Sequence, residues 1–246
     1  MQLIGSQLLF LDTVDSTNTW LRLSQPHRPW PDGTVVVAEH QRAGRGQQGN
    51  RWEAPAGDNL TLSVLIYPRR LQATHSFMLN KMTALAVAGA LQALDIPDVQ
   101  VKWPNDVLIG GRKAAGILIE NSVQGSLVQH SILGIGLNVQ SSPAGLPATH
   151  TQLHHPAGKS ELLELLLQQL NAWYLKLQQL QYAALDEAYW SQLWLRERPH
   201  TFWQADTAGN EVQITGRIVG ISPQGLLNLE TEAGIRQFDL KQIRFG

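Results

Sequence analysis

Apolar residues in this chain fall into short alternating or β-branched runs, separated by two long stretches rich in Ala and Leu, the mark of strands interleaved with helices. Ser6 to Val14 predicts a strand. Ser16 or Thr17 then stands where a side-chain oxygen caps a short helix running through Trp20 and Leu23. Gly33 to Glu39 is a β-branched strand that delivers Gln41 and a glycine-rich loop, and Leu60 to Tyr67 is the next strand. His75 to Leu94 predicts a helix by length and by Ala, Leu and Met content, ended by Pro97. Val99 to Trp103 is a strand, and Val107-Leu108-Ile109, Gly110-Gly111 and Ala114 to Asn121 predict a hairpin with Gly-Gly at its turn. Leu127 to Val139 is another strand, followed by a loop from Ser141 to Gly158 rich in Pro, Gly, Ser and His. Ser160 stands as the cap of a long helix to Gln181, with Leu163, Leu166, Leu167, Leu170, Trp173 and Tyr174 on one face. A shorter helix covers Asp186 to Leu195, and Pro199 ends it.

From His200 the texture changes to short strands at Glu211–Thr215, Arg217–Ile221, Leu226–Glu230 and Ile235–Leu240. Gly209-Asn210, Pro223-Gln224-Gly225 and Ala233-Gly234 mark the turns. This predicts two units, residues 1–198 and a small β-barrel at 199–246. So short a barrel is marginal alone and should pack on the larger unit.

Composition narrows the class. The chain is 43% hydrophobic, enough for a core rather than disorder. Its formal net charge of −1 gives no general pull toward nucleic acid or an anionic membrane. Cysteine is absent, which removes disulfides, thiolate metal sites and cysteine nucleophiles. The first residues lack the pattern of a signal peptide, and no apolar run reaches the length of a membrane span, so a cytoplasmic location is expected.

The candidate chemistry lies in two segments. Gly44-Arg45-Gly46-Gln47-Gln48-Gly49-Asn50-Arg51-Trp52 is a glycine-rich turn whose N–H groups can converge on an anion. Lys102-Trp103-Pro104-Asn105-Asp106 follows, and then Lys113; with Arg45, these lysines suit phosphate or carboxylate charge. Gly44, Gly46 and Gly49 match a dinucleotide fingerprint literally, but Trp52, Pro55 and a strand follow where a helix is required. Asn50-Arg51 stands where a P-loop needs Lys-Ser/Thr, and no kinase motifs follow.

What remains resembles the biotin protein ligases. The resemblance rests on Gly44–Trp52, Lys102–Asp106, Lys113-Ala114-Ala115-Gly116-Ile117-Leu118, Gly134-Ile135-Gly136-Leu137-Asn138-Val139 and Asp15-Ser16-Thr17-Asn18, which stand in that family's order along the chain. It implies an α+β fold, a class II synthetase-like mixed β-sheet with flanking helices followed by an SH3-like barrel. It implies ATP-dependent ligation of biotin to a lysine of a biotin carboxyl carrier domain of acetyl-CoA carboxylase, through biotinyl-5′-AMP, with Mg²⁺ accompanying ATP. Ser16, Thr17, Asn18, Gln41, Gly44, Arg45, Trp52, Lys113 and Gly116 would form the biotin pocket. Gly46, Gln47, Asn50, Lys102, Asn105, Asn138 and Arg244 would serve the nucleotide. Lys113, Asp106 and Arg45 would be catalytic: Lys113 bridging carboxylate and α-phosphate, Asp106 receiving the incoming lysine. No resident metal is expected, since His150, His154 and His155 lack a carboxylate partner.

Each residue also has a plainer reading. Ser16-Thr17 is a good helix cap without any ligand, Lys102 alone reads as a solvated strand end, and Trp173, Trp190, Trp194 and Trp203 read as core. The loop departs from the family in two places: Gln47 and Asn50 stand where arginines are usual, which leaves three consequences open, a weaker hold on the phosphate or adenylate, compensation by Arg42, Arg51 or Arg112, or reduced activity. No adenine-stacking aromatic is evident between 141 and 158. The motifs begin at Asp15, leaving no room for a preceding DNA-binding domain; a ligase without nucleic-acid or membrane partners, monomeric or homodimeric, is expected. The rival readings are a lipoate ligase or octanoyltransferase, and a non-catalytic sensor of biotin or its adenylate.

Overall fold

The computed structural model describes residues 3–205, 211–240 and 242–246. Its centre is a seven-stranded mixed sheet in the order β1-β2-β3-β7-β6-β5-β4. The strands are β1 (Leu8–Val14), β2 (Thr34–Gln41), β3 (Leu60–Ile66), β4 (Val99–Lys102), β5 (Asp106–Ile109), β6 (Arg112–Gln124) and β7 (Leu127–Leu137). β1 and β2 run parallel, joined across helix α1 (Thr17–Ser24); the other neighbours are antiparallel. Helices α2 (Phe77–Gln92) and α3 (Lys159–Gln178) cover one face, and α4 (Tyr182–Ser191) packs beside α2.

Strand alternation decides which face carries chemistry. Leu60, Leu62, Val64 and Ile66 of β3 enter the main core with α2 and α3. The intervening positions include Ser63 and Leu65, and Leu65 packs with Leu21, Trp30, Val36 and Ile132 on the α1 side. Helix α2 is apolar on nearly every side and is buried almost throughout, as such a helix must be.

The C-terminal sheet is five-stranded and antiparallel, in the order β11-β10-β9-β8-β12. It comprises β8 (Pro199–Ala205), β9 (Glu211–Ile221), β10 (Leu227–Thr231), β11 (Gly234–Phe238) and β12 (Arg244–Phe245). Its docking is specific: Trp103 Nε1 donates to the Gly225 carbonyl at 2.8 Å. Gly225 has φ +91°, and a Cβ there would lie 2.4 Å from the Phe77 ring, so the turn needs glycine on both counts. Phe202, Ile218, Leu227 and Leu229 join the same core cluster as Phe77 and Trp103.

Several boundaries differ from the sequence reading. Neither expected cap forms: Ser16 sits at the α1 N-cap without a side-chain cap bond, and α3 starts after Gly158, which leaves Ser160 inside it. Helix α4 begins at Tyr182 rather than Asp186 and ends at Ser191. Pro199–Ala205 forms a strand, and β9 runs unbroken through Gly216, where a Cβ would meet Leu229 at 2.7 Å. The expected turn at Gly209-Asn210 lies outside the described residues. Trp173 is only half-buried under Lys176, whose Nζ lies 4.2 Å from its ring centre.

Candidate active site

A cavity of about 530 Å³ opens between the α1 side of the large sheet and the C-terminal sheet. Ser16, Thr17, Asn18, Gln41, Arg45, Gly46, Gln47, Asn50, Trp52, Lys102, Asn105, Asp106, Lys113, Gly116 and Arg244 line it. Five sequence motifs far apart in the chain and the last strand thus meet in one place. Two expected residues stand back from it. Gly44 is buried, and a Cβ there would lie 2.2 Å from the Trp52 carbonyl oxygen, so it shapes the loop. Asn138 is buried and its Nδ2 donates to the Thr149 carbonyl at 3.0 Å, tying down the 147–151 segment.

The glycine loop closes on itself rather than opening a helix. Gly46 N–H donates to Asn50 O at 2.7 Å, Trp52 N–H to Gly44 O at 3.0 Å, and only a short 3₁₀ turn spans Gln47–Gly49. This geometry brings Trp52 back over the sheet. A Cβ at Gly136 would lie 2.3 Å from its indole, so glycine there is what lets the ring settle on β7.

At the α1 end the polar side chains form one connected network. Gln41 Oε1 accepts from the Thr17 N–H at 2.8 Å, so the first-turn donor of α1 is satisfied by a side chain from β2 instead of a local cap. Thr17 Oγ1 lies 3.1 Å from the same oxygen and 2.6 Å from Ser63 Oγ, which is also 2.6 Å from Asn18 Oδ1. Asn18 Nδ2 donates to Glu120 Oε2 at 2.8 Å, and Arg45 Nη2 pairs with Glu120 Oε1 at 2.8 Å. Neither Ser63 nor Glu120 was singled out from sequence. The alternation of polar Thr61 and Ser63 within the apolar strand Leu60–Ile66 was the available signal for the first, and Glu120, four residues beyond Gly116 on β6, for the second.

Charge dominates the other end. Lys113 Nζ lies 2.7 Å from Asp106 Oδ1. The pairing of β4 with β5 sets Lys102 opposite Asp106, and that of β5 with β6 sets Asp106 opposite Gly116, which gathers the two lysines around one carboxylate. Lys102 Nζ sits 5.1 Å from the Trp194 ring centre and 4.8 Å from that of Phe245, within cation–π range. Burial holds the Lys102 ammonium below its ordinary pKa; Asp106 opposes that shift and Lys113 adds to it. Asn105 Nδ2 donates to Ile117 O at 2.9 Å. Arg244 pairs with Glu211 at 2.9 Å over the face of Trp203. Trp203 therefore lines the cavity, contrary to its reading as core. Of the three arginines considered for compensation, Arg42 pairs with Asp15, Arg112 donates to Ala148 O, and Arg51 lines the cavity.

Comparison with known proteins identifies the family. Residues 10–138 match the Biotin/lipoate A/B protein ligase family. The biotin–[acetyl-CoA-carboxylase] ligase of Paracoccus denitrificans is 31% identical over 96% of this chain and 99% of its own. The bifunctional ligase/repressor BirA of Bacillus subtilis is 29% identical over 100% of this chain and 76% of its own length. Among solved structures, the biotin protein ligase of Aquifex aeolicus in complex with biotin and ATP superposes with a TM-score of 0.79 at 26% identity, covering 98% of this chain and 100% of that one. Among the described residues, no helix is long and apolar enough to cross a membrane. The match over more than half the chain, together with these relatives, shows that the chain belongs to the biotin/lipoate A/B protein ligase family and, within it, to the biotin protein ligases, which are ligase enzymes.

Proposed function

We propose that this protein joins the carboxylate of biotin to a lysine of a biotin carboxyl carrier domain, that of acetyl-CoA carboxylase, in two steps through biotinyl-5′-AMP. The observation that carries the reading is the Lys113–Asp106 pair at 2.7 Å, set where the hydrogen-bonded end of the cavity meets the cationic end. In the first step a carboxylate oxygen attacks the α-phosphorus of ATP and the bond to pyrophosphate breaks. Two anions must approach, and Lys113 and Lys102 supply the charge that offsets their repulsion in the transition state. In the second step the lysine amine attacks the acyl carbon, the bond to AMP breaks and a proton is lost. A free lysine is largely protonated at neutral pH, and Asp106 stands ready to orient it and accept that proton. Lys113 leaves Asp106 when the anions arrive, which frees the carboxylate for this role.

The biotin pocket is assigned to the α1 end with Trp52 and Gly116, and the nucleotide to the end with Lys102, Gln47, Asn50 and Arg244. Asn138 serves the nucleotide end from behind the cavity wall, by holding the 147–151 segment that pairs with Lys113. The carboxylates lining the cavity, Asp106 and Glu211, are each paired with a cation. Mg²⁺ therefore fits as an ion carried by the phosphates rather than by a protein cage. Residues 1–198 would act as the catalytic unit and 199–246 as the barrel that closes it. Dependence on ATP favours a cytoplasmic enzyme.

Exchange of labelled pyrophosphate into ATP tests the proposal. Exchange should require biotin and should not respond to lipoate. Exchange driven by lipoate, or none with either acid, would overturn it.

A further inference from the structure

Ser63 is fully buried on β3 and sits at the middle of the network between Gln41 and Glu120. Its importance follows from counting protons. The Asn18 amide is oriented by its nitrogen, which donates to Glu120 Oε2 at 2.8 Å and to Leu118 O at 3.3 Å; Oδ1 therefore faces Ser63 and can only accept. Gly134 makes room for that oxygen, since a Cβ there would lie 2.4 Å from it. Gln41 is oriented in the same way, because its Oε1 accepts the Thr17 N–H.

Three oxygen–oxygen contacts remain, with only two hydroxyl protons to fill them. The 2.6 Å contact between Ser63 and Asn18 takes the Ser63 proton, because Asn18 Oδ1 has none. The 2.6 Å contact between Ser63 and Thr17 then takes the Thr17 proton. None is left for the longer 3.1 Å contact between Thr17 and Gln41. The Thr17 hydroxyl consequently turns lone pairs, and no proton, toward the cavity it lines.

We propose that Ser63 is a specificity-determining positioning residue: by drawing the Thr17 proton inward, it makes Thr17 a hydrogen-bond acceptor and selects a ligand that presents an N–H at that point. The assignment rests on the biotin reading, because a ureido ring offers two N–H donors. It adds that the polarity of the recognition is set by a serine that never touches the ligand. A cyclic carbamate, with ring oxygen in place of one N–H, would bring lone pairs against lone pairs and be rejected.

Biotin and the two carbamate analogues, each with one ring N–H replaced by oxygen, are titrated into wild type and Ser63→Ala. In wild type one analogue should bind at least tenfold more weakly than biotin, the scale set by one unmade buried hydrogen bond. In Ser63→Ala the Thr17 proton loses its 2.6 Å acceptor and keeps only the looser 3.1 Å contact to Gln41, so it is shared with the cavity; biotin should weaken up to about tenfold and the preference over that analogue should narrow by a similar factor. The loss should appear in the KM for biotin rather than that for ATP. Asn18→Ala removes the acceptor that orients Ser63 and should narrow the same preference, which keeps the test open if Ser63→Ala fails to fold. Unchanged selectivity in a folded variant would overturn the role of Ser63 while leaving the biotin reading intact. Failure of wild type to bind biotin at all would overturn both.

Discussion

At the α1 end of the cavity Gln41 accepts the Thr17 N–H, and the side chains of Thr17, Ser63, Asn18 and Glu120 are bonded to one another. At the opposite end Lys113 and Asp106 hold each other with side chains 39% and 20% exposed, and Arg244 and Glu211 are more open still. The contrast separates two tasks. Buried, mutually satisfied hydrogen bonds fix direction and suit recognition of a neutral ring. Half-exposed ion pairs contribute little to stability and exchange partners readily, which suits anions that come and go during a reaction. Damage at the first end should therefore appear as lost binding, and damage at the second as lost rate.

The largest effect is expected at Lys113. Lys113→Ala should slow biotin-dependent pyrophosphate exchange on the order of 100-fold or more, the scale of removing one strong transition-state donor, while weakening biotin binding much less. Near-normal exchange would remove Lys113 from the chemistry. Asp106→Asn should spare exchange and slow transfer from preformed adenylate about 100-fold, the lower range for a lost general base. Single-turnover transfer measures this; normal transfer with lost exchange would move Asp106 to the nucleotide.

Smaller effects sharpen the division. Gln47→Arg restores a guanidinium able to make paired hydrogen bonds to phosphate and should slow adenylate release roughly tenfold. Arg51 already lines the cavity, and an unchanged release rate would mean that it holds that position. Phe245→Leu removes one of the two rings on Lys102 and should raise the KM for ATP by a few-fold, the scale of a partly desolvated cation–π contact; an unchanged KM would mean that the ring does not position the lysine. The Lys102 ammonium is present at low pH and is lost as pH rises through a value below that of an ordinary lysine. ATP affinity should accordingly fall on the alkaline side earlier than for a solvated lysine. Lys102→Arg should flatten that limb, because a guanidinium stays protonated.

Much of this site was legible because its motifs are local. The Gly110-Gly111 turn, with φ of +55° and +74°, delivers Lys113 as the hairpin reading expected. The glycine loop was separable from its look-alikes because a strand, not a helix, follows it. What could not be read depends on partners distant in sequence. Gln41 takes the α1 N–H that a local cap was expected to satisfy, so tertiary contact displaced a sound propensity argument. Ser63 and Glu120 sit within strands and become meaningful only when sheet pairing sets them beside Thr17, Asn18 and Arg45. Trp203 reads as core by composition, yet the C-terminal sheet turns it toward the cavity. Lys102 reads as a solvated strand end, but Trp194 and Phe245 enclose it from elements 92 and 143 residues further along the chain.

The division between a recognising end and a reacting end is tested most directly by calorimetric titration of biotin, without ATP, into Lys113→Ala and Ser63→Ala side by side. The account predicts that Ser63→Ala loses roughly tenfold in affinity, the scale of one buried hydrogen bond, while Lys113→Ala stays within a few-fold of wild type. The reverse order, with Lys113→Ala the weaker binder and Ser63→Ala unaffected, would contradict it.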